Sequence, residues 1–333
     1  MRKLFIISLS IIAFLSLFLA YAIDSSCVVK PGMTIHNLDP NESILSKFVQ
    51  FCIYALNFKP ELDELIKEGV FDDTPERIPF FMARKLNINY TKFEDRHYWI
   101  LQPKTGATDK VVLYVHGGAY IHNIIFFQWL MVDAIISRTN ATFIIPDYEI
   151  APRWTYTKMF SFIQHLYLQI LEKNAPEKVY LLGDSAGGGF VLSLAMSLRD
   201  MKQPLPSKIF MVSPWVDLSM TNQDCYKNDK VDTMTSISGL IQAGKLFAGD
   251  LDLKDPRVSP LYGDLHNLPN ISIYSGTHDV LNPDVRLLRD RFLKDNIPLN
   301  YYEFPHMFHV FPAVPFLREA KIANQNIADA ILE

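Results

Sequence analysis

The run Val179-Tyr180-Leu181-Leu182-Gly183-Asp184-Ser185-Ala186-Gly187-Gly188-Gly189 constrains this chain more than any other stretch. A short apolar, β-prone segment stops at a serine flanked by glycines. A helical pattern of Val191, Leu192, Leu194, Ala195 and Leu198 follows at once. A strand that turns into a helix so sharply crowds the residues two before and two after the serine, so those positions must be small. The strain points the serine Oγ out of the sheet, and the helix N-terminus behind it favours developing negative charge. The pattern is that of a G-x-S-x-G nucleophile elbow, with Ser185 as the candidate nucleophile.

A serine alkoxide needs a base, a carboxylate to orient that base, and N–H donors for the oxyanion. When the nucleophile sits on such an elbow, the acid and then the histidine follow it in the chain, each in a loop after a strand. The donors precede it. The strand-like run Val111–Val115 ends in His116-Gly117-Gly118-Ala119-Tyr120, where backbone N–H groups can approach a substrate oxygen. Six of the fourteen glycines of the chain lie in this loop and in the elbow. The N–H groups of Gly117, Gly118 and Ala186 are the expected donors. Asp279 directly follows the run Ile271–Tyr274 and is the acid candidate; its rival Asp284 reads as a first-turn acid of the next helix. His306 and His309 both lie between the last strand and the last helix, and position alone leaves the choice between them open.

Strand-like and helix-like runs alternate from Val111 to the end, which predicts an α/β fold with a mostly parallel sheet covered by helices on both faces. Two β-like runs, Leu86–Phe93 and His97–Gln102, precede it. Residues 40 to 80 read as short helices with bulky apolar faces. The alternation lapses between Trp215 and Asp255, where a helix-like segment Ile237–Phe247 suggests an insertion. The expected organisation is a leader over 1–22, N-terminal helices over 23–80, and a main domain over 81–333 interrupted at about 218–254.

The 333 residues can bury a large core, and the net charge of −4 gives no case for nucleic acid. The cysteines Cys27, Cys52 and Cys225 lack metal-ligand spacing; no metal or cofactor is expected, and a Cys27–Cys52 pair is left open. Met1-Arg2-Lys3 is followed by an uncharged run from Leu4 to Ile23, which ends in Ala20-Tyr21-Ala22. That reads either as a signal peptide cleaved before Ile23 or as an uncleaved anchor, because about 20 apolar residues span a bilayer. Both readings place the remainder outside the cytosol, secreted or held at a membrane by residues 4–23.

Taken together the chain resembles the hormone-sensitive lipase family of α/β-hydrolases, with its arylacetamide deacetylase-like enzymes. The resemblance runs from about Val111 to Phe311. It rests on His116-Gly117-Gly118-Ala119-Tyr120, Asp147-Tyr148-Glu149-Ile150-Ala151-Pro152, Gly183-Asp184-Ser185-Ala186-Gly187-Gly188, Ser213-Pro214-Trp215, Ser259-Pro260-Leu261, Gly276-Thr277-His278-Asp279 and Met307-Phe308-His309-Val310-Phe311. The family pattern selects His309 as the base. It implies a cap built from residues near 30–80 and 218–254, and a serine carboxylester hydrolase acting on small to medium acyl esters. Amide cleavage, acyl transfer and a non-catalytic receptor are the alternatives. There are departures. Ala119 replaces a glycine, the charges of Glu149 and Arg153 are exchanged, Asp284 sits one position late, and His306 stands where a glycine is usual. The cap aromatics Phe48, Phe51 and Tyr54 read either as lining of an apolar pocket or as helix packing. The oligomeric state is not legible.

Overall fold

The segments Val111–Val115, Thr142–Asp147, Val179–Asp184, Lys208–Val212 and Asn270–Gly276 are β-prone runs buried along nearly their whole length. A strand buried on both faces needs helices on both, and the intervening sequence supplies them. The structure is a computed structural model that describes residues 25–333 apart from 31, 58, 60 and 70. The apolar leader therefore lies outside the described residues. Among those described, no helix is long and apolar enough to cross a membrane.

In chain order the elements are β1 (Ser25–Lys30), β2 (Met33–Asn37), α1 (Ile44–Leu56), α2 (Glu61–Glu68), α3 (Phe80–Lys85), β3 (Leu86–Phe93), β4 (Arg96–Pro103) and β5 (Val111–Val115). There follow α4 (Phe126–Thr139), β6 (Thr142–Asp147), α5 (Tyr156–Leu171), β7 (Val179–Asp184), α6 (Ala186–Asp200) and β8 (Lys208–Val212). The chain closes with α7 (Gln223–Asn228), α8 (Ile237–Ala248), β9 (Asn270–Gly276), α9 (Asn282–Lys294), β10 (Leu299–Phe304) and α10 (Arg318–Leu332). The strands form one sheet in the order β1-β2-β10-β9-β8-β7-β5-β6-β4-β3. Pairing is parallel from β2 through β6 and antiparallel at both edges. This is the expected α/β-hydrolase architecture.

Alternate side chains of the central strands feed two cores, one on each face. Leu113, Leu181 and Met211 join α5, α6, α8 and α9 through Ile163, Leu192, Leu240 and Leu288. Val112, Leu182 and Phe210 join α4 and α10 through Trp129, Ile135, Ala323 and Ile327 on the other face.

Two features were not expected from sequence. The hairpin β1–β2 extends the sheet beyond β10, with β2 parallel to it. The Pro31-Gly32 dipeptide between the strands carried the turn signal for it. The second is α1, whose Phe48, Phe51 and Tyr54 are 52%, 66% and 70% exposed, so they do not pack into the core. The opposite face of α1 is anchored. Ser43 and Ser46 donate from their hydroxyls to the Glu319 carboxylate at 3.0 and 2.6 Å, and the Ser43 N–H donates to it at 2.9 Å. Cys52 carries a free thiol, and the side chain of Cys27 lies outside the described residues.

The N-terminal helices meet the β8–β9 connection. Leu62 on α2 packs beside Gly239, and Asp63 accepts from the hydroxyls of Ser236 and Ser238 at the start of α8.

Candidate active site

The turn from β7 into α6 has the geometry that the glycine spacing demands. Ser185 has φ +52° and ψ −121°, a conformation that costs free energy and persists only where the surroundings fix it. Three hydrogen bonds do so: its N–H donates to the Val212 carbonyl at 2.8 Å, while its own carbonyl accepts from Trp215 at 2.8 Å and Gly189 at 3.2 Å. The flanking positions leave no room for a side chain. A Cβ on Gly183 would lie 2.2 Å from the Gly187 carbonyl oxygen, and one on Gly187 would lie 2.0 Å from that of Val115.

His309 reaches this serine from the loop after β10. Its Nε2 lies 2.9 Å from Ser185 Oγ, and its Nδ1 lies 2.9 Å from Asp279 Oδ2. Ser185 and His309 are each 6% exposed, and Asp279 is fully buried. The three side chains therefore form one continuous hydrogen-bonded relay shielded from solvent. Asp279 is held in turn, since its Oδ1 accepts the Leu281 N–H at 2.9 Å. Burial disfavours a charged imidazole, but the Asp279 carboxylate, with Asp232 and Asp184 beyond it, outweighs that and holds His309 above the ordinary value of 6.5. A base so placed can take the serine proton and keep it while negative charge develops on the reacting oxygen.

The rivals are placed elsewhere. Asp284 sits in the first turn of α9, accepts from Asn222 at 2.9 Å, and lines a separate cleft of about 580 Å3 with Asp217, Tyr262 and Arg291. Burial pushes its carboxyl up to about 6. His306 is exposed; its Nδ1 lies 3.3 Å from His278 Nε2, away from the serine.

Among the expected oxyanion donors the structure separates Gly117 from the others. The Gly117 N–H donates to Asp184 Oδ1 at 2.9 Å, so it is already committed within the fold. Asp184 is the residue before the serine in the G-x-S-x-G motif. It also accepts from Tyr114 at 2.6 Å and Gln128 at 2.8 Å, and so ties the elbow to the loop after β5. Among the described residues no acceptor takes the N–H of Gly118, Ala119 or Ala186. Ala119 was not among the sequence candidates. Tyr120, next in the loop, donates to the Ala186 carbonyl at 2.8 Å and stacks on Phe247 of α8 at 3.6 Å. His116 is buried with Nδ1 2.8 Å from the Gly117 carbonyl and 3.0 Å from the Tyr148 hydroxyl, and burial lowers its pKa.

The exchanged charges after β6 keep their ion pair. Arg153 Nε lies 2.6 Å from Glu149, and Arg96 lies 3.0 Å from both Glu149 and Asp147.

Residues 112–313 match the model of a family described by its α/β-hydrolase fold. The chain is 29% identical over 233 residues to an esterase of Acinetobacter venetianus, covering 69% of this chain and 76% of that protein. An acetyl-hydrolase of Streptomyces hygroscopicus is also 29% identical, over 63% of this chain and 72% of its own length. Among solved structures, an esterase from the bacterial hormone-sensitive lipase family superposes with a TM-score of 0.71 at 24% identity, over 82% of this chain and 98% of that one.

Proposed function

The chain belongs to the α/β-hydrolase fold family, and from that premise we propose that it is a serine carboxylester hydrolase of the hormone-sensitive lipase type, working through an acyl-serine intermediate. The observation that carries this reading is the buried relay from Asp279 through His309 to Ser185, with 2.9 Å at each step. Relatives named as esterases and acetyl-hydrolases support an ester substrate.

In this mechanism Ser185 Oγ attacks the ester carbonyl carbon while His309 Nε2 takes its proton. Asp279 keeps the Nδ1 proton on the far side of the ring and stabilises the imidazolium. Negative charge on the carbonyl oxygen is met by the N–H groups of Gly118, Ala119 and Ala186. Such donors are worth roughly 3–4 kcal/mol of barrier each. His309 returns its proton to the leaving alcohol, then activates the water that cleaves the acyl-serine. The N-terminal helices and the 218–254 insertion, which touch between α2 and α8, act as a cap over the acyl side and favour small to medium acyl groups. The leader places the enzyme outside the cytosol, either released by cleavage before Ile23 or tethered by residues 4–23.

The test is hydrolysis of p-nitrophenyl acetate, butyrate, octanoate and palmitate by the purified protein beside Ser185→Ala. Turnover that falls with acyl length, and drops by roughly 10,000-fold or more in Ser185→Ala, is expected. Ester turnover that survives the substitution would overturn the mechanism, and turnover rising towards palmitate would overturn the acyl preference.

A further inference from the structure

The loop bearing Asp279 is clasped from outside by the segment between α7 and α8. Asn228, the last residue of α7, donates from its side chain to the carbonyl of Asp279 at 2.9 Å and to that of Thr277 at 3.2 Å. Four residues on, the Asp232 carboxylate accepts the N–H of Val280, the residue directly after Asp279, at 2.8 Å. The carbonyl and the following N–H of the Asp279 peptide unit are therefore both held by one short stretch of chain. Asp232 is 5% exposed, and its other acceptor positions are filled by the Met234 N–H at 2.7 Å, the Thr235 N–H at 2.9 Å and the Thr235 hydroxyl at 3.0 Å. Three of its four donors are local and the fourth, the Val280 N–H, ties it to the loop that carries Asp279, while its charge also acts on His309.

We propose that Asp232 is a positioning residue of the relay: through the Val280 N–H it fixes Asp279 against His309, and its charge adds to that of Asp279 in stabilising the protonated imidazole. Because Lys59 of the N-terminal segment donates to the Asp229 and Asp232 carbonyls and pairs with Asp229 Oδ1 at 2.9 Å, both proposed cap segments converge on this clasp. The inference rests on the relay being catalytic.

The charges that bear on His309 are Asp279 from the loop after β9, Asp232 from the α7–α8 turn and Asp184 from the end of β7. Burial, then the charge of Asp279, push the Asp232 carboxyl up in turn. His309 must be neutral to accept the serine proton, so the acid limb of kcat/KM in the native enzyme is expected above the ordinary histidine value of 6.5.

The experiment compares pH profiles of kcat and kcat/KM for the full chain, Asp232→Asn, Asn228→Ala and Ser185→Ala, with thermal melts alongside. Asp232→Asn removes one charge and turns an amide N–H towards a backbone N–H. The acid limb should move to lower pH by about half a unit or more, with kcat reduced several-fold. Asn228→Ala loses only the clasp, so kcat should fall while KM and the acid limb stay in place. A folded Asp232→Asn whose acid limb coincides with that of the native enzyme overturns the proposal. Should that variant not fold, a native kcat in Asn228→Ala overturns it instead. Ser185→Ala turnover within about tenfold of native would sink the underlying mechanism; a Ser185→Ala lowered by roughly 10,000-fold beside an unmoved limb sinks the role of Asp232 alone.

Discussion

The elbow and helix α1 are both rich in residues that ought to be enclosed, and they meet opposite fates. Around Ser185 most of the polar groups and all of the space are taken up. Asp184 holds three donors, the serine backbone is bonded on both sides, and a methyl group on Gly187 would collide with the Val115 carbonyl. On α1, Ile44, Phe48, Phe51 and Tyr54 stand 87%, 52%, 66% and 70% exposed along one stripe, while Ser46 and Val49 on the other side are buried. The contrast teaches that apolar content alone does not locate a core. The elbow is held where strands, loop and helix converge on it, whereas α1 is held along one face only, by the Glu319 hydrogen bonds and the packing of Leu45, Val49 and Ile53.

The contrast can be attacked from several sides. The most severe test is Asp279→Asn, which keeps the shape of the relay but reverses the hydrogen bond that fixes the imidazole tautomer. A loss of roughly 10,000-fold in kcat with an unchanged melt is expected, and a loss below about tenfold would mean that the relay is not what the elbow serves. Next is Gly187→Ala. With no slack around the turn, the added methyl should destabilise the fold by about 3 kcal/mol or more, or prevent soluble expression. A melting temperature close to that of the native protein would show that the elbow can yield. The smallest effect belongs to α1. Phe51→Ser should alter stability by no more than about 0.5 kcal/mol, since an exposed ring has little packing to lose. A large destabilisation, or a change of elution volume on size exclusion, would mean that the stripe is covered in solution and that the two regions are less different than their exposure implies.

The same contrast separates what could be read from the sequence from what could not. The elbow was legible because its requirements are local: small residues at fixed spacing, a β-prone run before and a helical run after. Asp279 and His309 were legible through chain order and the resemblance, each falling in the loop after a strand. The use of the Gly117 N–H was not, because which way that peptide points depends on the Asp184 carboxylate, 67 positions along the chain. Asp232 escaped for a similar reason. Nothing near Thr233 and Met234 marks a carboxylate whose partner, Val280, lies 48 residues away. The spacing of apolar residues on α1 showed where a helix would form, but periodicity carries no information about which stripe finds a neighbour.

The crowding at Ser185 also bears on how such a chain can change over generations. A substitution at Gly183 or Gly187 is expected to weaken fold and activity in one step, so a screen for lost activity there would not tell an unfolded protein from an inactive one. Along α1 the two traits come apart, and side chains there can be exchanged without risking the nucleophile. Inherited novelty in what this chain accepts is expected to arise in its outer helices, while the turn proposed to do the chemistry stays as it is.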